Sequence, residues 1–121
     1  MKWFNEKNGI KLECIAVKMG KDLSLILTCG EAHLGSTALA IPRLSLKGGK
    51  LSATASILNV TGHKDGVLAE HYASTAAAQL GCRCVCSCGI HIEQATSQQL
   101  AEIQKLADEL LNQVLTDLSV S

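Results

Sequence analysis

Aromatic residues are almost missing from this chain: Trp3, Phe4 and Tyr72 are the full set in 121 residues. A core built on aromatic rings is therefore excluded, and packing has to rest on Leu, Ile, Val, Ala and Cys. The same scarcity leaves no stacking platform for single-stranded nucleic acid. Net charge is missing as well, since 11 Lys plus Arg are balanced by 11 Asp plus Glu. With no basic run to neutralise phosphates, nucleic-acid binding is not expected. No apolar run approaches the ~20 residues of a membrane span. The opening MKWFNEKNGIKLE has no apolar stretch of the secretory-signal type,. The expected compartment is the cytoplasm, where thiols stay reduced. Repeats, low-complexity tracts and linker compositions are absent too. Residues 1–121 read as a single domain, large enough for a real core without a disulfide or metal staple.

What is present is mostly strand pattern. Ile10, Leu12, Cys14 and Ala16 alternate with polar residues, MGKD supplies a turn, and Leu23 to Thr28 resumes an apolar strand,. Ser36 to Ile41 reads as a further strand, which Pro42 is expected to end. The connection RLSLKGGK, with Gly48-Gly49 at its tip, leads to another alternating run from Leu51 to Val60. The period then changes. Leu68, Tyr72, Ala76 and Leu80 stand at helical spacing, with Asp65 as the expected N-cap and Gly81 as the stop,. A cysteine-rich strand follows. The last segment opens with a capping box, Thr96 and Gln99, and carries one apolar stripe through Leu100, Ile103, Leu106 or Ala107, Leu110, Val114 and Leu118,. The order β-β-β-β-α-β-α predicts an α+β fold: a mainly antiparallel sheet with two helices packed on one face.

GCRCVCSCGIHIEQ holds four of the six cysteines, at Cys82, Cys84, Cys86 and Cys88. On a strand they share one face and spread over about 20 Å at ~3.3 Å per residue. A zinc ion needs its sulfurs at ~2.3 Å from one point, so four ligands on one strand cannot close a tetrahedral site. Neighbours two apart point the same way, near the outer limit for a disulfide. The expected role is that of small buried hydrophobes facing the helices.

The histidines have a different setting. His33 in GEAHLG, His63 in TGHKDG and His91 in CGIHIE each lie near a glycine, at or just past a strand end. Glycine lets backbone approach a ligand closely. His71 lies mid-helix and carries no expected role. With Asp65 or Glu93 the three histidines could form a His/carboxylate metal site in a metal-dependent enzyme. TGHKDG also opens a helix, where free N–H groups attract phosphate or carboxylate, Gly62 permits close approach and Lys64 adds charge. Arg43, after Pro42, could supply a second cation. No serine matches a nucleophile elbow.

The blocks GEAHLGSTALAIPRLSL, SATASILNVTGHKDGVLAEHYA and CGIHIEQATSQQLAEI together resemble the small D-subunit family of UbiD-type hydroxyarylate decarboxylase systems, the gallate-decarboxylase type. The resemblance spans about Gly30 to Ile103. It implies a non-catalytic chaperone that holds prenylated FMN, or FMN, and passes it to the large decarboxylase subunit. It allows a flavin prenyltransferase as a further partner and a divalent cation beside the phosphate. Carried over to this sequence, the matching blocks put His33, Gly35, His63, Lys64 and His91 at the cofactor, and the expected cofactor-binding set adds Ser36, Arg43, Gly62 and Asp65. An alternative role is that of a structural decarboxylase subunit with no ligand. A small domain with one sheet face to cover is expected to form a homodimer.

Overall fold

Two tight turns set the register of the first half of the chain. The computed structural model describes residues 1–45, 49–60 and 63–119, and of His63 and Lys64 only the backbone. Gly48 and Gly62 therefore lie outside the described residues. Strand β1 (Lys2–Lys7) joins β2 (Ile10–Met19) through Asn8-Gly9, both at positive φ (53° and 78°). That is the two-residue turn whose twist matches the flanking strands. Gly20, at φ 64°, turns β2 into β3 (Asp22–Gly30). Strands β4 (Ser36–Leu44) and β5 (Leu51–Asn59) follow, then helix α1 (His63–Leu80), strand β6 (Cys84–His91) and helix α2 (Ser97–Ser119).

The six strands form one sheet in the order β1-β2-β3-β6-β4-β5. Only β3 and β6 run parallel; every other neighbouring pair is antiparallel. The fold is α+β as expected, with two departures. First, β1 is an additional strand. Its one buried side chain is Trp3, whose indole N–H donates to the Asp117 carboxylate at 2.7 Å. Asn5 donates to the Leu106 carbonyl at 3.0 Å, so α2 holds this edge strand by its polar groups. Such a strand has almost no alternating apolar signal; the legible clue was the Asn-Gly turn after it. Second, Pro42 does not end β4. β6 pairs with β4 only from Ser36 to Ala40, so at Pro42 one side of β4 has no ladder to interrupt,.

The start of α2 and the end of α1 fall where local chemistry says they should. Thr96 N–H donates to Gln99 Oε1 at 2.9 Å, and Gln99 N–H donates back to Thr96 Oγ1 at 3.1 Å, completing the capping box of α2,. Gly81 (φ 64°) closes α1, donating its N–H to the Ala77 carbonyl at 2.9 Å,. The stripe of α2 from Ile103 to Leu118 is buried, with Leu100 half-buried at its start. α1 buries Leu68, Ala69, Tyr72, Ala73, Ala76 and Ala77. This run of alanines lets the helix lie close on the sheet. Tyr72 is the one bulky member, and its hydroxyl donates to the Ala107 carbonyl of α2 at 2.5 Å.

Three thiols of the row do what their alternation predicts, while Cys82, also buried, lies before β6 begins. Cys84, Cys86 and Cys88 pair across to Leu23, Leu25 and Leu27 of β3 and are at most 1% exposed. All six cysteines are free and buried. Burial is the main reason the Cys14, Cys84 and Cys88 thiols are pushed up to about 12, with neighbouring acidic groups and thiols adding to it. Cys86 is raised well above the usual thiol range for the same reason. The unfolded chain releases these protons near pH 9 while the folded one keeps them. Their contribution to stability is thus complete below about pH 9 and is lost as pH climbs towards 12. At pH 8, iodoacetamide should alkylate these four cysteines on the order of 10³-fold more slowly in the native protein than in urea, as read by mass spectrometry. Rapid native labelling would mean that β6 faces solvent.

Candidate functional site

The site is a consequence of strand order. β6 lies between β3 and β4, so the link from Gly30 to Ser36 has to cross the end of β6. Gly89 makes that crossing possible. A Cβ on it would stand 1.6 Å from the His33 carbonyl oxygen, a backbone atom. At the crossing, Gly35 N–H donates to the Cys88 carbonyl at 2.9 Å. Val60 N–H donates to the Gly35 carbonyl at 2.7 Å, tying in the end of β5. Gly30 (φ 73°) is equally constrained, since a Cβ there would meet the His91 carbonyl at 2.1 Å.

The crossing delivers His33 to two partners from distant parts of the chain. Its Nε2 stands 3.6 Å from Asp65 Oδ2 in the first turn of α1. Its Nδ1 lies 3.2 Å from the Glu31 carbonyl oxygen. The His33 and His91 rings meet edge to face, with centroids 6.0 Å apart. Glu31, Ala32, His33 and His91 line a small open cavity of about 220 Å³.

Asp65 is the hinge of this arrangement and is not the N-cap its position suggests. It lies inside α1, is 6% exposed, and accepts the Ile90 N–H on Oδ1 at 3.1 Å. The carboxylate therefore joins the start of α1 to the end of β6, where the helix dipole favours its charge. Gly35 is shaped to it, because a Cβ would fall 1.8 Å from Oδ2. On its other side Asp65 borders a larger, mainly apolar cavity of about 410 Å³ between the first turns of both helices and the end of β6.

Of the sequence-derived site residues, the structure brings together His33, Gly35, Asp65 and His91. The backbone of His63 and Lys64 belongs to the same helix start. Their side chains and Gly62 lie outside the described residues. Ser36 is nearby but fully buried, and its hydroxyl donates to Asn59 Oδ1 at 2.6 Å, a structural use. Arg43 is a correction. It lies at the opposite end of β4, about 23 Å along the strand at ~3.3 Å per residue, and donates to Thr54 Oγ1 at 2.7 Å on the exposed sheet face. Among the described residues no three His, Cys, Asp or Glu side chains are arranged to hold a metal ion. His71 stands apart on α1, facing Asp108 of α2 at 3.6 Å.

Three residues of the site escaped sequence reading: Gly89, Asn59 and Ile90. Gly89 had a signal, a glycine inside an otherwise alternating strand, which marks close backbone approach. Asn59 sits over Gly66, where a Cβ would meet its Oδ1 at 2.6 Å. Ile90 contributes a backbone N–H, which no side-chain pattern could reveal.

Comparison with known proteins agrees over nearly the whole chain. A family model described as the prenylated flavin chaperone LpdD-like domain matches residues 6–119. Protein LpdD of Lactiplantibacillus plantarum is 26% identical over 114 residues, covering 92% of this chain and 79% of that protein. Among solved structures, a chain of a chaperone complex for yeast 20S proteasome assembly superposes with a TM-score of 0.68 at 18% identity, covering 98% of this chain and 95% of that one. At that identity the likeness concerns the fold alone.

Proposed function

Because the chain belongs to the prenylated flavin chaperone family of the LpdD-like type, we propose that it binds prenylated FMN and delivers it to a UbiD-type aromatic-acid decarboxylase. One observation carries the reading. Two imidazoles and a buried carboxylate, from three distant segments, converge at the N-terminal end of an 18-residue helix and beside an apolar cavity. A flavin mononucleotide presents matching chemistry: a phosphate, a hydrogen-bonding ring edge and an apolar ring edge. The start of α1, with Gly62, His63 and Lys64, would take the phosphate. His33 and His91 would hydrogen-bond the polar edge, with Asp65 orienting His33 and Gly35 leaving room for that carboxylate. Hydrogen bonds and phosphate contacts of this kind hold a ligand reversibly, as a carrier requires. What the bound group supplies is the decarboxylation chemistry of the partner enzyme, for which this chain is an accessory.

A homodimer completes this reading. Both helices cover one face of the sheet, and the other face carries Val17, Ile26, Leu39 and Ile41, each 38–50% exposed. Between them stand Ser24, Thr37, Ser56 and Ser87, while Lys11, Glu13, Asp22 and Arg43 lie towards the margins. Six strands about 4.8 Å apart give a face on the order of 650 Å², near the ~800 Å² per partner of a standard interface. An uncharged centre with both signs at the margin suits a two-fold contact of the face with itself. In this dimer the histidine sites lie at a sheet end, open to a third partner.

The deciding experiment is native mass spectrometry of the protein co-expressed with a flavin prenyltransferase. The expected spectrum shows prenylated FMN bound per chain, released when apo-decarboxylase is added, with flavin-like absorbance in the purified sample. Ligand-free protein that copurifies with a decarboxylase would instead support a structural subunit. Stoichiometric zinc or iron lost on replacing His33 or His91 would support a metal enzyme.

A further inference from the structure

The geometry points to the 410 Å³ cavity as the seat of the isoprenoid-derived carbons of the cofactor, and so as the feature that separates prenylated from unmodified FMN. This rests on the carrier reading above and adds to it a basis for selectivity. The cavity lies on the helix side of the sheet, walled by Val67 of α1, Ile90 and Ile92 at the end of β6, and Leu100 and Ile103 of α2. Successive strand residues face opposite ways. Ile90 therefore looks into this cavity, while His91, one residue on, looks towards the histidine cavity. Asp65 is shared by both, lining the apolar cavity and standing 3.6 Å from His33.

The two polar side chains on the wall, Asp65 and Gln104, each have a partner within the fold. Asp65 accepts the Ile90 N–H and faces His33. Gln104 donates its side-chain amide to Asp108 at 3.1 Å. What remains exposed on the wall is mainly hydrocarbon, which favours apolar groups,. The volume is in the range of small-molecule sites. Val67, 60% exposed, stands at the mouth. Unmodified FMN differs from the prenylated form by lacking those carbons. Each buried methylene is worth roughly a factor of four in affinity, so burying about three or four of these carbons accounts for on the order of 100-fold preference.

Two variants test this on the full chain. Leu100→Gln places an amide in the wall at a half-buried helical position. Ala95→Phe fills the cavity from the segment before α2. Affinities for FMN and for prenylated FMN are measured for each, with thermal unfolding as the check on folding. Wild type should prefer prenylated FMN by on the order of 100-fold. Each variant should lose at least about tenfold for prenylated FMN and leave FMN affinity within about twofold. Equal wild-type affinities, or variants that weaken both ligands alike or neither, overturn the inference and leave the carrier reading standing. Wild-type protein that binds neither flavin removes both.

Discussion

Gly89→Ala should cost about 3 kcal/mol of stability, the upper end of what forced overpacking usually costs. In a chain of this size that is a fall in Tm of roughly 10 °C. The reason is the identity of the atom in the way. The new Cβ would stand 1.6 Å from the carbonyl oxygen of His33, which is main chain and cannot rotate aside. To make room, the β3–β4 link must lift off β6. That would break the hydrogen bond from Gly35 to Cys88 and draw His33 away from Asp65 and His91. Gly35→Ala is the instructive contrast. Its Cβ would meet the carboxylate end of the Asp65 side chain, which can shift only by giving up the Ile90 N–H, so a smaller loss of about 2 kcal/mol is expected,. Flavin affinity should nevertheless fall in both. Urea or thermal unfolding followed by circular dichroism separates the two. A Gly89→Ala protein that melts within about 2 °C of wild type would show that the link does not cross there.

Leu39→Asp should convert the proposed dimer to monomer, weakening association by at least about 10³-fold. Leu39 lies on β4 between Ser56 of β5 and Val85 of β6, in the uncharged part of the uncovered face. In the isolated chain it is 46% exposed, so a carboxylate there stays hydrated and the fold tolerates it. In a face-to-face dimer each copy would bury that charge without a partner, at about 3–5 kcal/mol. Sedimentation equilibrium over a micromolar concentration range reads the difference. Wild-type protein that sediments as a monomer across that range would refute the dimer. So would a Leu39→Asp protein that still sediments as a dimer.

These two variants act on features of very different legibility. Ala38, Leu39, Ala40 and Ile41 are all apolar, so alternation could not say which pair is buried, and the structure buries the two alanines. The thiols of β6 are legible, since their shared face could be read from their spacing, and so is α2, whose capping box and stripe are written within a few residues of each other. β1 was harder, because its stability comes from Trp3 and Asn5 reaching α2, more than a hundred residues away. Pro42 misled because its tolerance depends on where β6 stops. Asp65 has the position of a cap, but its carboxylate found a better donor in the Ile90 N–H, brought to it by packing.

The sequence alone determined most of the elements, the buried face of the thiol strand and of α2, and the residue types able to meet a ligand, since those depend on neighbours within one or two turns or along one strand. Only the tertiary structure decided which of those residues meet. Inserting β6 between β3 and β4 forces the Glu31–Gly35 link over Gly89, and that single topological fact sets His33 beside Asp65 and His91 while leaving Arg43 at the far end of its strand. Strand order is fixed by the packing of the whole sheet under its two helices, and no local pattern records it.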